Sequence, residues 1–233
     1  MAILCRKLRL LFIMTPRTAC TAVGNLLLAE YGGEYLPEND IVDDRGRITV
    51  QRKHSTLAQI LEHQLLSPTD ARDYLKFAAV RNPFDSLVSL YIKQRTKYQP
   101  LLQDPDSWVN RQPAYAATMK YACTHSFKAW LFRKCRKQMV KRLMGIPPSM
   151  FLEYTSGADR IIRYESIEAE LGSVLAEAGV AGEVKLPMSN RTEERTTEDY
   201  RTWYSRSAAL AVRLAFSDDL KNYGYQFQAT EIL

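Results

Sequence analysis

An α/β fold with a central, mainly parallel sheet is what this sequence predicts, and three observations carry it. Short apolar runs stand at residues 8–14 and 74–80, and a third strand fits at 160–164. Each is followed by a stretch whose apolar residues fall at helical spacing. Proline, glycine and capping residues punctuate the joins. Strands that alternate with helices in this way build βαβ units, whose strands run parallel.

Residues 1–14 read as the first strand. The apolar core of that segment is only a few residues long, and Arg6, Lys7 and Arg9 are interleaved with it. That rules against a signal peptide or a membrane anchor. Residues 21–31 read as a helix with Val23, Leu26 and Leu27 on one face, closed by Gly32-Gly33. Residues 34–53 are polar and irregular, with a short strand fitting at 48–50. Thr56-Leu57-Ala58-Gln59 has the form of a capping box, and Leu57, Ile60, Leu61 and Leu65 make an apolar stripe, so a helix starts at Thr56.

The strand at 74–80 leads into Asn82-Pro83, an N-cap followed by proline at the first helical position. Phe84, Leu87, Val88, Tyr91 and Ile92 make the inward face of that helix. Residues 97–113 read as a loop. Residues 114–144 read as an interrupted helix with a strongly basic end, stopped by Pro147-Pro148. After the third strand, residues 167–178 form a helix with Leu171, Val174 and Leu175 inward, stopped by Gly179. A polar loop at 182–198 and short helices complete the chain. The expected organisation is one domain over 1–233 with a helical insertion at about 97–150.

The composition of the 233 residues, 46% hydrophobic and 25% charged, is that of an ordinary globular protein. A chain of this size buries enough surface to fold without a disulfide or metal staple. The net charge of +6 favours an anionic partner. Basic residues are scattered except for the run Phe132 to Arg142, which reads as a solvated helix face or, if it has a function, as a seat for an anionic acceptor. Cys5, Cys20, Cys123 and Cys135 show neither a CxxC pair nor zinc spacing, which reads as reduced thiols in a cytoplasm.

In open parallel sheets, ligands bind beyond the carboxyl ends of the strands. Two strand-to-helix turns place basic residues there: Thr15 to Thr21, "TPRTACT", and Arg81 to Pro83, "RNP". A helix N-terminus offers unpaired N–H groups and roughly half a positive charge, which suits a phosphate or sulfate. Arg17 adds a full charge with a planar fork of donors, and Thr18 and Thr21 add hydroxyls. The spacing of an ordinary nucleotide-hydrolase phosphate loop, GxxxxGK[ST], is missing. With no glycine in the turn, the backbone must curl through Ala19 and Cys20. A plain capped helix also fits the first turn. An arginine paired with a surface carboxylate, with Ser89 solvated on the flank of its helix, also fits the second.

Taken together, the turns resemble the sulfotransferases that use 3′-phosphoadenosine 5′-phosphosulfate (PAPS), in particular the carbohydrate and bacterial branch. Pro16, Arg17, Thr18, Ala19, Cys20 and Thr21 match the segment that grips the 5′-phosphosulfate. Val80 to Tyr91 match the strand and helix that hold the 3′-phosphate, with Arg81 and Ser89 in those roles. "KHSTLAQI", "RYESI", "LPMSNRTEE" and "FSDDLKNYGYQF" continue the resemblance in the same order; residues 97–150 match nothing. The departures are Cys20, where Ser or Thr is usual, and Ala19, where Gly is common. Losing the hydroxyl at Cys20 implies weaker donor binding.

The resemblance implies a P-loop-like three-layer α/β/α fold. It implies PAPS as donor, PAP (adenosine 3′,5′-bisphosphate) as product, a sugar hydroxyl as acceptor, and no metal or nucleic acid. Donor-binding residues would be Arg17, Thr18, Ala19, Cys20, Thr21, Arg81 and Ser89, with Arg191 and Arg195 from a loop that closes near the nucleotide. Arg17 would also stabilise charge on the leaving phosphate. His54 is the expected base, since imidazole titrates near neutrality, and Glu165 is the second choice. His63 and His125 read as structural or solvated. Trp108, Tyr115 and Trp130 could line an acceptor cleft or belong to the core. Two alternatives stand beside this reading: a catalytically inactive relative that binds nucleotide, supported by Cys20, and a phosphotransferase, which would require a Walker lysine and magnesium. A bacterial cytoplasmic enzyme is the expected setting.

Overall fold

A computed structural model describes residues 2–186 and 199–227. The described chain contains strands β1 (Ala2–Cys5) and β2 (Leu10–Ile13), helix α1 (Cys20–Glu30), strands β3 (Glu34–Leu36), β4 (Ile41–Val42) and β5 (Ile48–Val50), and helices α2 (Leu57–Glu62) and α3 (Pro68–Arg72). Strand β6 (Leu75–Val80) follows, then α4 (Pro83–Arg95), α5 (Pro113–Thr124), α6 (Phe127–Leu143) and α7 (Leu152–Thr155). Strand β7 (Arg160–Arg163) and helices α8 (Ile167–Glu177), α9 (Arg206–Ala215) and α10 (Ser217–Asn222) complete it.

The chain divides into two compact units, one of residues 1–81 and 151–191, the other of residues 82–150 and 192–233. The first holds a five-stranded sheet in the order β3-β1-β2-β6-β7. β2 pairs parallel with β6, and β6 with β7. β1 is antiparallel to both β2 and β3. Four of the five strands therefore point the same way, and the sheet is mainly parallel as the sequence predicts.

Both faces of this sheet are covered over β1, β2 and β6, which explains why those strands read as apolar runs. Side chains alternate across a strand. Ile3, Leu10, Phe12 and Phe77 pack on one face against Val23 and Leu27 of α1 and Leu171 and Val174 of α8. Ala2, Leu4, Leu11, Ile13 and Ala78 pack on the other against Ile60 of α2 and Ala71 of α3. The result is three layers.

The segment 1–14, expected as one strand, is a hairpin. The polar stretch Arg6 to Arg9 that interrupts the apolar run is its turn: Arg9 N–H donates to the Arg6 carbonyl, and Arg9 sits at φ 48°. The capping box at Thr56 is formed as expected, with Gln59 N–H donating to Thr56 Oγ1 and Thr56 N–H to Gln59 Oε1. Asn82 caps α4 through a bond from Phe84 N–H, and Pro83 stands at its first turn.

The second unit is helical among its described residues. Its core joins Phe84, Leu87 and Tyr91 of α4, Trp130 and Leu131 of α6, and Val212 of α9. Residues 97–150 lie within it, together with α4 and the C-terminal helices. Asp219 of α10, buried, accepts from Met150 N–H at 2.7 Å and from the Ser149 hydroxyl, and so pins the segment after α6 to α10.

Candidate active site

The carboxyl ends of β2, β6 and β7 lie side by side in the first unit, and each feeds a polar turn. The turn after β2 runs from Met14 to Ala19 and contains no glycine. It bends by placing Arg17 at φ 70° and Ala19 at φ 54°, both left-handed. The bend was expected at Ala19 and Cys20. Cys20 instead begins α1, because the helix can start only after the left-handed residue has turned the chain. Glycine would suit the place of Ala19, because a left-handed residue costs nothing sterically only for glycine.

Helix α1 starts without a side-chain cap and without an acid in its first turn. The other helices of at least ten residues that begin at a Ser or Asn, α4, α6 and α9, are capped by that side chain, except α8. Among the described residues, the first turn of α1 thus has neither a capping side chain nor an acid of its own at the positive end of the dipole. Thr15 Oγ1, buried beside it, has no hydrogen-bond partner among the described residues. Thr18, expected to offer its hydroxyl to an anion, instead donates it to the Thr15 carbonyl at 2.9 Å and closes the loop on itself.

Arg81, at the end of β6, is only 7% exposed. Its Nη1 donates to the Arg17 carbonyl at 3.1 Å. Its guanidinium lies 4.0 Å from the centre of the Tyr164 ring, just past β7. One side chain therefore ties the turns after all three parallel strands together. Tyr164 was not singled out as a site residue from sequence, although it lies within the "RYESI" segment.

His54 stands between β5 and α2, with its ring Nδ1 2.8 Å from the Met14 carbonyl oxygen. A carbonyl can only accept, so Nδ1 carries the proton and Nε2 keeps its lone pair. Burial lowers the imidazole pKa to about 3, with nearby positive charges, Lys53 and Arg17 among them, adding to the effect. The ring is neutral at working pH. Tyr154 stands edge-on to it at 6.4 Å, and burial raises its phenol well above the usual range.

Glu165 is exposed in the turn after β7. His63 and His125 are exposed, the latter stacked on Tyr121 at 3.7 Å. In the second unit, Ser89 is buried rather than solvated on a helix flank, because α4 is covered nearly all round. Trp130 is core, its Nε1 donating to Gln94 Oε1 at 3.1 Å. Trp108 and Tyr115 pack with Tyr98 in a small separate cluster. Arg191 and Arg195 lie outside the described residues. Among the described residues no group of three or more His, Cys, Asp or Glu is placed to hold a metal, and no helix is long and apolar enough to cross a membrane.

An uncapped helix start, a buried hydroxyl with no partner among the described residues, and the turns that carry Arg17 and Arg81 meet at parallel strand ends, the place where open α/β sheets bind their ligands. The model of the sulfotransferase family matches residues 1–226, and the chain belongs to that family. It is 25% identical over 253 residues to carbohydrate sulfotransferase 10 of Rattus norvegicus, covering 95% of this chain and 66% of the relative. The protein of the same name from Xenopus laevis is 26% identical over 256 residues (94% and 66%), and that from Danio rerio 27% over 206 residues (78% and 53%). The chain thus spans just under two thirds of the length of the first two of these vertebrate relatives. No solved structure matches at a significant level.

Proposed function

We propose that this protein transfers a sulfuryl group from PAPS to a hydroxyl of a carbohydrate or glycoconjugate. The observation that carries the reading is Arg81, buried at the end of β6 and bonded to the turn that holds Arg17. Family membership and the names of the relatives support the reaction and the acceptor class. The uncapped α1 start and the Thr15 hydroxyl fit the donor's phosphosulfate.

The donor supplies an activated sulfuryl group, which an acceptor oxygen attacks in line while PAP leaves. Arg17 and the first turn of α1 hold the charge that gathers on the departing phosphate; arginine stays protonated and acts as a fixed charge. Arg81 takes the 3′-phosphate, and Ser89 joins it in that role on the resemblance alone. His54 receives the acceptor's proton at Nε2, while its Nδ1–H stays on the Met14 carbonyl and fixes the ring. In the free protein burial, with the positive surroundings adding to it, makes this base weak. The donor's negative charge, once bound, raises its proton affinity at the moment it is needed. Binding of both reactants in register supplies the remainder of the rate.

The test is calorimetry in the absence of magnesium with PAP and with ADP. PAP binds and ADP binds far more weakly. Arg81→Ala removes that preference, while Arg81→Lys keeps part of it. Equal affinity for both nucleotides, or none for either, overturns the reading. PAP binding without sulfuryl transfer to any sugar acceptor identifies the inactive relative that Cys20 suggests.

A further inference from the structure

We propose that the outward face of α6, with the turn that follows it, docks on an anionic lipid surface. The stretch from Ser126 to Ser149 contains seven Lys and Arg and no Asp or Glu. The inner side of α6 is accounted for: Phe127, Trp130, Leu131 and Cys135 are buried in the helical core. Some of its cations are also occupied. Arg142 pairs with Asp218 and bonds Ser217, and Arg133 lies over the Tyr121 ring. Lys128, Arg136, Lys137 and Lys141 are exposed and form no ion pair among the described residues.

Charge alone would read as a solvated helix. Lys128 and Arg136, each four residues from Phe132, however, flank a second apolar stripe on the same side of the helix. Phe132, Met139 and Leu143 are exposed and fall seven and four residues apart, on one line along the helix. The stripe runs on into the turn, where Met144 and Ile146 are also exposed. Leu143 is 87% and Met144 69% exposed, so they project as tips instead of lining a groove. A basic helix with an unburied apolar line is the pattern of a surface that lies in the headgroup region of a bilayer.

Other occupants fit less well. A polyanionic glycan would neutralise the cations and leave the apolar tips in water. A second copy would bring like charges against like. An acidic protein would need a pocket for each projecting tip, whereas a bilayer interface accepts them without one.

The test is co-sedimentation of the whole protein with vesicles of phosphatidylcholine alone and with 30% phosphatidylglycerol (about that fraction, chosen to give a strongly negative surface). The protein is expected to bind the anionic vesicles only, and to be released by raised salt. Lys128→Gln with Arg136→Gln weakens binding roughly thirtyfold, at about fivefold per cation. Leu143→Gln with Met144→Gln weakens it about tenfold or more. Circular dichroism and PAP affinity are unchanged in both variants, since none of these side chains is buried and none is assigned to donor binding. No binding to anionic vesicles overturns the proposal, and so does binding that either variant leaves intact. A dimer seen by sedimentation that Leu143→Gln dissolves, without vesicle binding, assigns the face to a second copy and overturns it as well.

Discussion

Replacing Ala19 by glycine is expected to stabilise the protein, although alanine is usually the better residue beside a helix. Ala19 sits at φ 54° and ψ 20°, left-handed, as the N-cap of α1, and contributes no capping bond. Holding a residue with a Cβ in that region costs about 1–2 kcal/mol. Glycine removes the cost but loosens the unfolded chain, which takes back about 0.4–1 kcal/mol. The lost methyl is only partly buried, so packing changes little. The net gain is about 0.5–1 kcal/mol, which for a chain of this size raises Tm by roughly 1–4 °C. The assay is calorimetric unfolding of Ala19→Gly beside Ala22→Gly. Ala22 is buried inside the same helix, where glycine costs about 1 kcal/mol, so its Tm falls. If Ala19→Gly leaves Tm unchanged or lowers it, the left-handed turn is not a source of strain, and the account of the donor loop fails.

Two further outcomes follow from buried groups. His54 has a folded pKa of about 3, below the ordinary value near 6.5. As pH falls through 6.5 the unfolded chain takes up a proton that the folded chain refuses, so stability drops on the acid side and is unaffected above pH 7. Urea unfolding between pH 7 and pH 4 should show a loss of about 1 kcal/mol per pH unit from this group, absent in His54→Gln; an identical slope in the variant refutes the assignment. Asp219→Ala leaves Met150 N–H and the Ser149 hydroxyl without their acceptor and should cost about 2–3 kcal/mol by urea unfolding. Asp219→Asn, which still accepts from Met150, should cost less than half of that, and equal losses would show that the bonds contribute nothing.

The parallel core of the sheet was legible because it is buried on both faces. Such strands appear as short apolar runs, and 74–80 needed no knowledge of its partners, whereas β7, an edge strand with only Ile162 of its four residues buried, carries a weaker signal. Caps were legible for a similar reason: Thr56 and Asn82 act within three residues of themselves. The hairpin of β1 and β2 was not separated, since its turn of Arg6, Lys7, Leu8 and Arg9 has neither glycine nor proline to mark it. The burial of Ser89 was missed because helical periodicity assumes one wet face, and α4 has almost none.

At the site, the sequence by itself determined the inventory: a glycine-free turn bearing Arg17 and an arginine closing a buried strand, joined by the resemblance that orders them. Chemistry of that kind is local and travels with residue type. What only the tertiary structure decided is how each group is used. Thr18 turns its hydroxyl inward to Thr15, Arg81 bridges Arg17 and Tyr164 across three strand ends, and the Met14 carbonyl selects the tautomer of His54. The hydrogen bonds among these contacts join residues as many as 64 apart in the chain. A hydrogen bond depends on distance and direction in space, and spacing along the sequence holds neither until the sheet has brought its strand ends together.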